Sequence, residues 1–212
     1  NPLLVSPPLG LPQYAVGFAD GSLVNAPHFV ANDSMLEIET SSGIRLLGNN
    51  VSDVTFWQRL AASSIVYVSD RSVTDYRHEP YLDLTWPLAE DRNLTGGLLL
   101  ANGQRYLKGL AMHSAARATY QLNEKFEKFA AHVALADSAG RRGSVVFRIF
   151  VARDGQWLES YVSPVVRGGD APLPVEIELA EAQAITLIVD FADRGDELDR
   201  AQWLDARLLR KE

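Results

Sequence analysis

Apolar and polar positions alternate residue by residue through much of the C-terminal half of the chain. The runs RATYQL (117–122), KFAAHVALA (128–136), SVVFRIFVA (144–152), LPVEIELA (173–180) and AITLIVDFA (184–192) are rich in β-branched and aromatic residues, and turn signals such as Asp154-Gly155 and RGGDAP separate them. Each predicts a strand, and WLDARLL (203–209) closes the set. Within 144–152, Val145, Phe147, Ile149 and Val151 fall on one face and Val146, Arg148, Phe150 and Ala152 on the other, as in a sheet covered on at least part of both sides. No helix-period segment is long enough for a βαβ crossover, which excludes a parallel α/β sheet. The expected fold class is all-β, with a β-sandwich as the economical solution.

Before residue 79 the signals are β but weaker. Residues 1–13 hold four prolines and read as a linker or extended arm. YAVGFADGSLVNA places Asp20-Gly21, a favoured hairpin turn, between apolar segments, and SMLEIETSSGIRLLG alternates Leu36 and Ile38, turns at Ser41–Gly43 and resumes at Ile44. A buried strand is expected at Ile65–Val68, leading into a polar connection with Asp75, His78 and Pro80. The expected organisation is an arm (1–13), a small β extension (14–78) and a sandwich (79–212). Short strands over roughly 65 residues bury too little surface to offset chain entropy, so the extension is expected to pack on the sandwich.

Composition changes this picture by exclusion. A chain of 212 residues with 47% hydrophobic content can bury a core, and its formal net charge of −7 disfavours a nucleic-acid partner. The absence of cysteine removes disulfides, thiol nucleophiles and thiolate metal sites. No apolar run approaches the roughly 20 residues needed for a membrane span. Gly-x-Gly-x-x-Gly, Walker and nucleophile-elbow patterns are missing, and nothing sets two carboxylates across a cleft for glycoside hydrolysis, which leaves a glycosidase as a minor alternative.

The ordered segments RYLKGLAMHS, YQL, KFEKFAAHVALADSAGRRGSVVFRIFVARDG and LIVDFADRGDELDRAQWLDARL resemble the NPCBM family of carbohydrate-binding modules, over roughly residues 79–210. The resemblance implies a jelly-roll β-sandwich of the galactose-binding-domain-like kind, of the sort often attached to secreted glycosidases. It also departs from the family pattern, with Arg200 and Gln202 where members commonly carry His and Asp. The implied role is a non-catalytic module of a larger extracytoplasmic or secreted protein. Its implied partners are a glycan, with galactose-terminated chains as one class, and neighbouring domains of the same protein. The alternative is a structural interaction module that binds no free sugar.

His113 has two explanations: a neutral imidazole that reads a sugar hydroxyl, or a side chain that fixes the turn around Gly109–Ser114. Trp157, after the Asp154-Gly155 turn, is the stacking candidate, whereas Trp203, Trp57 and Trp86 are expected to be structural. Asp137 and Asp154 are the further carbohydrate-binding candidates. The acids Asp190, Asp193, Asp196 and Asp199, with Glu197, form the densest charge cluster. They read either as a solvated loop paired to Arg194 and Arg200 or as ligands for a structural Ca²⁺, which the resemblance favours.

Overall fold

In a computed structural model the described residues are 13–18, 22–32, 35–48, 53–59, 64–81 and 83–210. Residues 1–12 of the proline-rich arm and the Asp20-Gly21 turn lie outside them. The chain divides into two compact units, residues 1–63 and 64–212.

The first unit holds β1 (Tyr14–Phe18), β2 (Leu23–Ala26), β3 (His28–Asn32), β4 (Met35–Glu39), β5 (Arg45–Gly48) and β6 (Val54–Arg59). They form two three-stranded antiparallel sheets, β2–β1–β6 and β3–β4–β5. Gly43, at φ +80°, completes the expected turn between β4 and β5. Val16, Ala26, Leu36 and Ile38 make the small core. Trp57, expected to be structural, is 59% exposed beside Tyr14 and Phe29.

The second unit is a two-sheet sandwich. One six-stranded sheet runs β18 (Leu173–Glu178), β14 (Lys128–Leu135), β20 (Arg200–Leu209), β12 (Gly109–His113), β9 (Ala89–Glu90), with β7 (Ile65–Tyr67) also on β20. The other runs β16 (Gln156–Val162), β15 (Ser144–Arg153), β19 (Ala184–Phe191), β13 (Ala116–Gln121), β8 (Asp75–His78), with β17 (Val166–Arg167) also on β15. The expected strands of the C-terminal half are all present, and the period-two apolar residues of β15 face the core. Trp203 is fully buried there, edge-on to Phe147 at 5.0 Å. Gly109, at φ +151°, lies so close to β20 that an added Cβ would stand 2.4 Å from the Trp203 carbonyl oxygen.

The sandwich therefore starts at residue 64 rather than 79. β7 and β8, placed in the extension by sequence, pair with β20 and β13. They are short edge strands whose pairing depends on partners 38 or more residues away along the chain, and local pattern does not carry that information. A hairpin, β10 (Leu99–Ala101) and β11 (Gln104–Tyr106), supplies Leu99 and Ala101 to a second small core with Ala111, Ala134 and Leu204.

Candidate functional site

His113 ends β12 and sits opposite Arg200 of β20, so the two side chains share one face of the sheet. His113 is 5% exposed. Its Nδ1 lies 3.3 Å from the Ser114 carbonyl oxygen, which can only accept, so Nδ1 holds the proton and Nε2 keeps its lone pair. The same oxygen accepts Nε2–H of His78 at 3.0 Å. Nδ1 of His78 is then an acceptor, and it takes the backbone N–H of Trp86 at 3.1 Å. The Tyr76 hydroxyl donates to the Trp86 carbonyl at 2.9 Å.

Two residues of β8 thus hold both backbone groups of Trp86. The indole lies parallel to the His113 imidazole, with centroids 5.3 Å apart and 8° between planes, while His78 meets His113 edge-on at 5.8 Å. Together with Leu84, Asp196, Glu197, Leu198 and Arg200, Trp86 and His113 line a pocket of about 270 Å³. Burial holds the His113 pKa below its ordinary value, which leaves the ring neutral at pH 7. Arg200 Nη1 donates to the Ser138 carbonyl at 3.2 Å, and Glu197 pairs with Arg142 at 2.6 Å. An aromatic wall, a neutral acceptor, a guanidinium and carboxylates converge here, a set suited to holding a polyhydroxylated ligand.

The remaining candidates go elsewhere. Trp157 lies in β16 rather than on a loop and is 48% exposed on the outer side of its sheet. Asp137 accepts the N–H groups of Asn102 and Gly103 at 2.7 and 2.9 Å, tying down the β10–β11 turn instead of facing the pocket. Asp154 occupies the β15–β16 turn at φ +50°. The four aspartates of the acidic loop are not gathered. Asp190 pairs with Arg148 at 2.7 Å and Asp193 with Arg167 at 2.6 Å. Asp196 lines the pocket, and Asp199 is buried with Oδ1 accepting the Ser144 N–H at 2.8 Å. Among the described residues no three His, Asp or Glu stand together as a metal site.

Trp86, His78 and Tyr76 were missed as site residues. No spacing rule marks them, because the Trp86–His113 stack joins an irregular segment to a strand end 27 residues later. Only the edge pairing of β8 on β13 brings them together.

The NPCBM/NEW2 domain model matches residues 64–209, the whole described sandwich. The chain belongs to the NPCBM/NEW2 family. As a family member the module is carbohydrate-binding and non-catalytic in itself. A curated relative from Renibacterium salmoninarum, described as "Putative endo-alpha-N-acetylgalactosaminidase", is 29% identical over 114 residues, 54% of this chain. The match spans only 7% of that relative's length. Among solved structures, the NPCBM/NEW2 chain is similar to CBM51 of Clostridium perfringens GH95 in complex with methyl-galactose. The two share 20% identity and a TM-score of 0.59 over 68% of this chain and 99% of the other. CBM51-2 with INT domains from C. perfringens ZmpB, in complex with GlcNAc, aligns over 92% of this chain and 43% of that one, at 18% identity and a TM-score of 0.60. These likenesses establish the shared fold. Among the described residues no helix is long and apolar enough to cross a membrane.

Proposed function

We propose that this NPCBM/NEW2 module belongs to a larger extracytoplasmic protein that acts on carbohydrate, and that it holds a neutral glycan end in the Trp86–His113 pocket. The observation that carries this reading is the parallel indole and imidazole at 5.3 Å, with the Trp86 backbone fixed at both N–H and C=O before any ligand arrives. Such preorganisation lowers the ordering cost of binding. The indole offers an apolar face to a pyranose, His113 Nε2 accepts from a hydroxyl, and Arg200 and Asp196 supply a donor and an acceptor. Galactose and N-acetylglucosamine are the first sugars to try, since the similar CBM51 structures hold methyl-galactose and GlcNAc.

Calorimetry on a panel of galactose- and GlcNAc-terminated glycans tests this. A shallow pocket is expected to bind in roughly the micromolar to millimolar range. His113→Gln, which retains a donor for the Ser114 carbonyl, should weaken binding while the melting temperature holds. A fully folded wild type that binds no glycan in the panel would leave the structural-module alternative. Ile44 (57% exposed), Leu47 (72%) and Trp57 (59%) favour a complementary role for the first unit in docking a neighbouring domain.

A further inference from the structure

The outer face of the β16–β15–β19–β13–β8 sheet carries a second hollow, larger than the first. Register places its residues in rows across the strands. Asp75, Thr119, Thr186, Phe150 and Glu159 follow one another from β8 to β16 as direct cross-strand partners. Arg77, Arg117, Ile188 and Arg148 form the next row. On the other side of the first row, Gln121, Ala184 and Ala152 lead to Trp157. Residues two apart on a strand share a face, so all these side chains point away from the core that Ala118, Tyr120, Phe147, Ile149 and Leu187 fill.

The resulting hollow has a volume of about 390 Å³, with Trp157, Phe150, Thr119, Thr186, Asp75 and Arg117 among its lining residues. Trp157, at the edge, is 48% exposed, a large apolar surface that the fold leaves in water. The Thr119 and Thr186 hydroxyls hydrogen-bond to one another at 2.8 Å, and each can still engage a second polar group. The charges decide what kind of ligand fits. Arg117 pairs with Asp75 at 3.2 Å, Arg77 with Glu79 at 2.8 Å, and Arg148 with Glu159 and Asp190 at 2.7 Å each. With all three arginines matched by carboxylates, the face has no excess positive charge to attract an anion. It offers three planar guanidinium donors and four carboxylate acceptors beside an aromatic ring, complementary to an uncharged polyol. Five strands set roughly 4.8 Å apart span about 19 Å, room for several sugar units.

We propose that this face is a second glycan site, taking an internal stretch of neutral oligosaccharide laid across the strands with one ring against Trp157. The proposal rests on the module being glycan-binding, and it adds a surface that reads chain length to a pocket that reads a chain end. Arg77 and Asp75 alternate along β8 with Tyr76 and His78, so one strand builds both sites on opposite faces.

Calorimetry with the full chain, using methyl-galactoside and a ladder of neutral di- to hexasaccharides of galactose and N-acetylglucosamine, tests it. Trp157→Ala is expected to weaken binding of the longer chains about tenfold while leaving the monosaccharide affinity and the melting temperature unchanged. Trp86→Ala is expected to remove monosaccharide binding and leave residual affinity for the longer chains. If Trp157→Ala leaves every affinity unchanged, the second site falls and the pocket stands. If it weakens all ligands equally and lowers the melting temperature, Trp157 is structural and the second site likewise falls. Wild type that binds neither monosaccharide nor oligosaccharide overturns both sites together.

Discussion

Two buried titratable residues at the loop end of the sandwich act on stability with opposite sign. Asp199 is fully buried, with Oδ2 lacking a hydrogen-bond partner, and burial pushes its pKa up to about 6 from 3.8. Between those values the folded protein holds a proton that the unfolded chain has released, so the Asp199 contribution to stability rises as pH falls through this window. His113 works the other way. Burial lowers its pKa, the unfolded chain protonates first, and its contribution falls as pH drops through the unfolded value near roughly 6.5. Asp199→Asn keeps an acceptor for the Ser144 N–H and removes only the first effect. Urea unfolding of both proteins should show the variant gaining on wild type between pH 4 and pH 7 by on the order of 2 kcal/mol. A pH-independent difference would mean that Asp199 titrates like a solvated carboxylate.

At the scale of elements, the edge strands matter most for function. β7 and β8 are three and four residues long, yet β8 contributes the Tyr76 and His78 contacts that hold Trp86. A fragment of residues 79–212 lacks both strands and leaves the ladders of β20 and β13 unpaired at those edges. Compared with a fragment of 64–212, it should melt markedly lower and lose sugar affinity even where it remains folded. Equal melting temperatures would show that the edge strands add nothing to the sandwich. The β10–β11 hairpin illustrates a different element-level role. Asp137, a sugar-binding candidate by position, spends both carboxylate oxygens on the Asn102 and Gly103 amides and thereby holds the hairpin that buries Leu99 and Ala101.

For the molecule as a whole, the dispersal of the acidic loop bears on metal dependence. Asp190 and Asp193 are held by Arg148 and Arg167, and binding Ca²⁺ there would require breaking those pairs. EDTA is therefore expected to leave the melting temperature unchanged, whereas a fall reversed by millimolar calcium would show the loop rearranging around an ion. The strands of the sandwich were legible because burial on one side imposes a period of two, and β15 displays it in Val145, Phe147, Ile149 and Val151. The histidine that stands out in the apolar stretch GLAMHS, His113, ends β12 and lines the pocket beside Trp86. The sequence by itself determined the all-β class, the strand runs of β13, β14, β15, β18, β19 and β20 and the family, all of which follow from local alternation and ordered motifs. Only the tertiary structure decided that the sandwich begins at residue 64, that Trp86 faces His113, that Trp157 lies on an open sheet face and that the acids part company. Each of these depends on which distant strand a short segment pairs with, and that choice is made by the packing of the whole core rather than by any residue's neighbours in the chain.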